Sequence, residues 1–330
     1  MIRRSLLIIG LLVVAAGVSG TSPGRAATPR WTETVVVRGQ FGPGPEQFGR
    51  SGIEMSKKTL RLVTCFAANP RHIAVHDRVK KDVKVFAPTG AFEGAFPLIL
   101  MGSSRPDTVR ARDIALDADV LYVLVDENEG GKAIPATMRV ATFDVETGAC
   151  TGVTVIETAR LAQAGTPTAR GADAFVLQTN GPRLWIYDTL RQLSFEVVSA
   201  GPSHLSERPV FGWGGTTRVR TDDNASTINL LDAEGKMTRR IPQAGVLVAV
   251  SEDGDAFAVL QTAGGADWVV AVFSAEGDPI GTAPRPNRSW KPFKAPVMER
   301  KYEVVETPAG AELYELYAGA EGVRVVRWGR

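Results

Sequence analysis

The chain has 330 residues, of which 44% are hydrophobic, and a formal net charge of +2. That composition excludes a disordered chain and allows one large core or two smaller ones. Three of the basic residues, Arg3, Arg4 and Arg25, fall in the first 27 positions, so the rest of the chain carries a charge of about −1, and without Lys/Arg blocks it offers no electrostatic case for nucleic acid or anionic lipid.

At the N-terminus, Arg3 and Arg4 precede an unbroken apolar run from Leu6 to Val18, and small residues follow from Gly20 to Ala27. The run is shorter than the roughly 20 residues a helix needs to cross a bilayer. Residues 1–27 therefore read as a cleaved export signal. No cysteine lies near its end, so no lipid anchor is expected, and no later apolar run reaches membrane-spanning length. Residues 28–330 are expected to form a single domain in the periplasm or outside the cell. The only cysteines are Cys65 and Cys150. Export would permit a disulfide between them, provided their Cα atoms lie within about 7 Å; two buried thiols are the alternative.

Next comes "TETVVVRGQ" (Thr32 to Gln40), a strand pattern with no partners nearby in sequence. A phrase then recurs: a β-rich run, an aromatic or Leu, a small or acidic residue, a short turn, another β-rich run. It is anchored at Phe86, Phe143, Tyr187, Leu231 and Phe273, with a truncated copy at Trp328, at spacings of 42 to 57 residues. A period of that size is one four-stranded propeller blade. Between Val246 and Thr282, four apolar runs are separated by Glu252-Asp253-Gly254-Asp255, by Ala263-Gly264-Gly265-Ala266 and by Ala275-Glu276-Gly277. Asp-Gly and Gly-Gly supply the positive φ of tight hairpins, so this period is four antiparallel strands. The first two periods are as complete. In the third and fourth, three strands are visible and are expected to be the outer three, with Trp185, like Trp268 and Trp328, on a third strand. The last period ends one strand short at Arg330, and an open outer edge would invite aggregation. The segment from about residue 32 to 40 is expected to fill that edge and close the ring. The fold class predicted is all-β: a six-bladed β-propeller of four-stranded antiparallel blades, sealed by its N-terminal strand. A helical fold is excluded by the absence of a sustained 3.6-residue apolar period and by 34 Gly and 20 Pro.

Two stretches carry a resemblance. "GQFGPGPEQFGRSG" (Gly39 to Gly52) and "IAVHDRVKKDVKVFAPTGAFEGAF" (Ile73 to Phe96) are similar to the glycine-rich linker and the strand, polar turn, Val-x-Val-Phe pattern of NHL-repeat propellers. The match is to one blade; the resemblance implies a six-bladed propeller, a fold that serves both binding modules and enzymes.

Candidate sites follow from the blade map. His72 and His76 would lie about 13 Å apart along a strand, too far to share a metal whose ligand bonds are about 2 Å; they, and His204, are expected at turns and on the surface. "VDENEGG" (Val125 to Gly131) and "TDDNAS" (Thr221 to Ser226) are oxygen-rich, as Ca²⁺ requires, and are equally what hairpins between second and third strands contain. Asp117, Asp119, Glu252, Asp253 and Asp255 lie in first-to-second-strand hairpins of two blades, which should share one face at the channel mouth; they are the candidate metal ligands. Phe211 and Trp213, among glycines in "ERPVFGWGGTTR", either grip a ligand or pack beneath the rim. There is no Gly-x-Ser-x-Gly elbow. The reading is an exported binding or scaffold propeller, a monomer, taking a protein or small ligand on one face without a cofactor. The alternative is a channel-mouth hydrolase or lyase of lactonase-like kind, assisted by Ca²⁺.

Overall fold

The computed structural model describes residues 28–49, 63–101, 109, 111–125, 137–157, 161, 175–189, 191–198, 204–214, 217–222, 224–243, 245–262, 268–285, 301–319 and 322–330. The proposed signal, residues 1–27, and residues 126–131 of the acidic loop lie outside the described residues.

β1 is Thr32–Gly39. Blade 1 follows as β2 (Val63–Ala68), β3 (Ile73–Asp77), β4 (Asp82–Phe86) and β5 (Phe92–Pro97). Blade 2 comprises β6 (Ala111–Asp117), β7 (Val120–Val125), β8 (Thr137–Asp144) and β9 (Cys150–Glu157). Blade 3 comprises β10 (Phe175–Asn180), β11 (Arg183–Asp188), β12 (Leu193–Val197) and β13 (Val210–Phe211), and blade 4 comprises β14 (Arg218–Thr221), β15 (Ile228–Leu231) and β16 (Met237–Ile241). Blade 5 is β17 (Val246–Val250), β18 (Ala256–Thr262), β19 (Trp268–Ser274) and β20 (Pro279–Arg285); blade 6 is β21 (Tyr302–Thr307), β22 (Gly310–Gly319) and β23 (Gly322–Gly329), with β1 as its outermost member. All pairings within the sheets are antiparallel, in the six-bladed ring expected.

Inner strands meet those of neighbouring blades, β2 with β6, β6 with β10, β14 with β17, β17 with β21, and β21 with β2. Apolar clusters fill the seams: Val85, Leu98, Ile114 and Leu121 between blades 1 and 2, Leu124, Leu177 and Ile186 between 2 and 3, and Val272, Val304 and Leu313 between 5 and 6. Each inner sheet is thus covered on both faces, which is why β3 reads as buried throughout rather than alternating.

The ring closes as predicted. β1 runs antiparallel to β23, from Thr32 opposite Gly329 to Gly39 opposite Val323, with a bulge between Val35 and Val37. The bulge brings the Val36 carbonyl under the β4–β5 hairpin, where Gly90 has φ +89° and a Cβ would stand 1.6 Å from that oxygen; only glycine fits there. The chain ahead of β1 is also engaged. Trp31 N–H donates to the Thr282 carbonyl at 2.9 Å, Thr282 N–H donates to Pro29 at 3.0 Å, and Trp31 is buried between blades 5 and 6.

Blades 3 and 4 correct the sequence reading. Their visible strands are the inner three, β10–β12 and β14–β16, and the depleted member is the outermost: β13 has two residues, and blade 4 has no fourth strand among the described residues. Tyr187, Leu231 and Trp185 therefore occupy second strands, not third, and Thr221 to Ser226 forms a first-to-second-strand hairpin. An outer strand faces solvent and needs little apolar patterning, so its shortening leaves no mark in hydrophobicity.

Cys65 and Cys150 are not joined by a disulfide. Cys65 is on the innermost strand of blade 1 and Cys150 on the outermost strand of blade 2, and three strand spacings of about 4.8 Å separate those positions within a blade. No helix among the described residues is long and apolar enough to cross a membrane.

Candidate binding site at the channel mouth

All inner strands run the same way along the channel, so their C-terminal ends and the hairpins that follow collect on one face. There they enclose a cavity of about 160 Å³. Blade 1 contributes Asn69, blade 3 Gln178 and Thr179, blade 5 Glu252 and Asp253, and blade 6 Glu303 and Glu306, with Ala115 and Leu116 of blade 2 completing the wall.

Glu252 stands at the centre of the electrostatics. Its Oε1 accepts the Gly181 N–H at 3.2 Å, a bond from blade 5 to blade 3. Burial, and then the charge of Asp117 from blade 2, push its carboxyl up to about 7. Asp117 is itself raised by burial. Glu306 is raised by burial and by the charges of Asp255 and Asp253, partly offset by the Ser251 hydroxyl and the Asp255 backbone. Its Oε1 is buried without a hydrogen-bond partner. Desolvation raises all three carboxyls, and like charge adds to it at Glu252 and Glu306.

Gln178 is 3% exposed, and its Oε1 accepts the Gly214 N–H at 3.2 Å. That bond fixes the amide, while Nε2 is buried with no partner.

The five predicted acidic residues separate. Asp117, on blade 2, acts electrostatically on Glu252, on blade 5. Asp119 turns instead to blade 1, where Arg71 Nη1 donates to Oδ2 at 2.5 Å and Oδ1 lies 2.9 Å from His72 Nε2. Asn69 Nδ2 donates to the Ala118 carbonyl at 2.9 Å, which grips the same turn. Asp119 thus closes the seam between blades 1 and 2. Asp253 and Asp255 are exposed on the β17–β18 hairpin. Among the described residues no three His, Cys, Asp or Glu side chains gather as a metal-holding group.

The Asp222 carboxylate of the other oxygen-rich loop is occupied by its own turn, accepting Ser226 N–H at 2.6 Å, Ser226 Oγ at 2.5 Å and Thr227 Oγ1 at 3.1 Å. The Ser226 hydroxyl first, and then backbone N–H donors, hold it down at about 2. The histidines are also more enclosed than expected. His76 is fully buried and accepts the Ala111 N–H at 3.3 Å across the blade 1–2 seam, and His72 sits between Glu93 and Asp119.

Phe211 and Trp213 part company. Phe211 is exposed on β13, with the Arg220 guanidinium 5.1 Å from its ring centre. Trp213 is a core residue, stacked on Tyr187 at 5.0 Å, and cannot face a partner. Gly212 between them has φ +86° and lets the chain turn inward.

Sequence reading missed Gln178, Glu303 and Glu306. Gln178 and Glu306 lie toward the C-terminal ends of inner strands, the signal that locates a channel mouth, whereas Glu303 is the second residue of β21. In blade 3 the strand misassignment concealed that signal.

No protein-family profile and no curated protein sequence matches the chain. Among solved structures it is similar to several proteins, propellers among them. A streptogramin B lyase aligns over 91% of this chain and 97% of its own, at 8% identity and a TM-score of 0.41. BamB from Moraxella catarrhalis aligns over 80% and 71%, at 15% identity and a TM-score of 0.29. A protein of unknown function from Bacteroides caccae aligns over 68% and 81%, at 12% identity and a TM-score of 0.38.

Proposed function

We propose that this chain is an exported, monomeric binding propeller that holds a ligand, either a protein or a small molecule, on the channel-mouth face. Export rests on Arg3 and Arg4 ahead of the apolar run from Leu6 to Val18. The likeness of the first blade to NHL repeats belongs to the same reading. The observation that carries it is the cavity itself, which blades 1, 3, 5 and 6 line with polar and acidic side chains. Convergent polar groups in a concavity are the usual form of a ligand site.

The test is a thermal-shift panel of organic cations, organic anions, neutral sugars and divalent metals on the mature protein, the Glu252→Gln variant and the Glu306→Gln variant. At least one class should raise the melting temperature of the parent and lose that effect in a variant. If no class does so, this site is not a binding site. One divalent ion per chain, retained through purification and measured by elemental analysis, would instead favour the metal-assisted enzyme.

A further inference from the structure

We propose that the open outer edge of blade 4 docks another protein, which adds an extended segment to β16 as an antiparallel fourth strand and sets consecutive acidic residues opposite Arg239 and Arg240. This surface lies on the rim and is independent of the channel-mouth cavity.

Every other blade has a strand outside its third, and among the described residues blade 4 has none. Only residues 242–245 separate β16 from β17, and they turn inward at once: Gln243 N–H donates to the Ile241 carbonyl at 2.8 Å, and Gly245 N–H donates to the Ala225 carbonyl of the β14–β15 hairpin at 2.9 Å. The chain has no length there for a further strand. Met237 to Arg240 are all exposed in consequence, and only Ile241 is buried. Such an edge carries a row of backbone donors and acceptors that a strand from elsewhere satisfies.

The side chains select the occupant. Met237, opposite Leu231, and Arg240, opposite Asn229, share one face of the sheet. Arg239 and Ile241 share the other, beside Gly277 of blade 5. Charge alone along an edge keeps strands off, but this edge begins with exposed apolar groups: Met237, and Phe211 of blade 3, whose Cδ2 would stand 4.0 Å from a Cβ at Gly235 in the β15–β16 hairpin. They give an incoming segment something to bury. The arginines then set its sign. Arg240 Nε donates to Asn229 at 3.3 Å, and Arg239 Nη2 is 3.9 Å from Asp278 with both side chains at least half exposed, surface pairs that contribute little in water. Two copies of β16 paired about a two-fold axis would set arginines against arginines. A strand with an acidic residue on each face, followed by apolar residues toward Met237, is attracted instead.

Fluorescence anisotropy with labelled peptides tests this. Thr-Glu-Glu-Val-Leu-Thr should bind with a Kd below about 1 mM, and at least about tenfold more tightly than Thr-Lys-Lys-Val-Leu-Thr, since like charges face each other in the second. A strand donates to one neighbour through alternate N–H groups. Methylating one alternate set of nitrogens in the acidic peptide should therefore abolish binding, and methylating the other set should leave it. Arg239→Glu together with Arg240→Glu should weaken the acidic peptide at least about tenfold and reverse the preference; the gain of the lysine peptide shows in the same measurement that the variant is folded. Four outcomes would overturn the proposal: no binding of the acidic peptide, equal binding of the two peptides, equal effects of the two methylation patterns, or binding unchanged by the double variant. Two others would reassign the edge and overturn it as well. The first is a dimer in sedimentation that the double variant dissolves, which makes a second copy the occupant. The second is deca-thymidylate bound more tightly than the acidic peptide and lost in the double variant, which makes it a nucleic-acid surface.

Discussion

Asp113 shows how single polar side chains join the blades. It is 2% exposed on β6, and its Oδ2 accepts the Leu177 N–H of β10 at 2.7 Å. Thr179 Oγ1 donates to the Leu116 carbonyl at 3.0 Å on the same seam, and Gln192 spans the next by accepting the Thr221 N–H and donating to its carbonyl. Adjacent inner strands do not share a ladder, so these backbone groups depend on side chains for partners. Asp113→Ala leaves the Leu177 N–H facing a methyl group and is expected to cost about 2 kcal/mol. Asp113→Asn retains an acceptor oxygen and should cost less. Chemical denaturation of the two variants measures the difference, and equal losses would show that the seam bond contributes nothing. None of these staples is legible in the sequence, because an Asp or Thr inside a strand looks the same whether it meets water or a neighbouring blade. Trp213 and Phe211 make the same point: two residues apart in a glycine-rich loop, they differ only in the backbone turn at Gly212.

The N-terminal clasp was legible, and for a physical reason. A last blade that stops one strand short and a first strand with no blade are two halves of one unsatisfied ladder, and pairing them is the simplest way to remove both edges. What the sequence did not reveal is that the clasp reaches past its own blade. Trp31 lies against Gly281 of β20 in blade 5, where an added Cβ would come within 2.1 Å of the indole. Gly281→Ala should therefore displace Trp31 and destabilise the protein by about 1–3 kcal/mol, the usual cost of overpacking, read as a lower melting temperature. Deleting residues 32–40 removes the partner of β23 and exposes its edge. The shortened protein should aggregate on heating and melt well below the parent. If light scattering and calorimetry found it unchanged, closure by β1 would not hold the ring together. The errors in blades 3 and 4 have the complementary cause. Periodicity marks strands that bury a face, so a rim strand of two residues is invisible, and the count then slid by one position.

Across the ring, the acidic mouth ties stability to pH in a direction opposite to the usual carboxylate. Glu252 is pushed up to about 7 by burial and by Asp117, and Glu306 is raised by burial and by Asp255 and Asp253. In the unfolded chain a glutamate titrates near 4.5. Between about 4.5 and 7 the folded protein therefore holds more protons than the unfolded one, and its stability falls as pH rises through that window and levels off above it. Asp222, Asp144, Glu196 and Glu276 act in the opposite sense, being held low by hydrogen bonds. Their contribution is lost only as pH falls below the ordinary carboxylate range, so the two effects occupy separate windows. Glu252→Gln keeps an oxygen for the Gly181 N–H and removes the ionisation. At pH 8 the variant should melt about 2 °C above the parent, a shift set by roughly 1 kcal/mol once solvent screening of a half-buried group is allowed for. The gap should vanish by pH 4.5, where both side chains are neutral. A gap that stays constant from pH 4.5 to 8 would mean that Glu252 titrates like a surface glutamate, and that neither burial nor the charge of Asp117 acts on it.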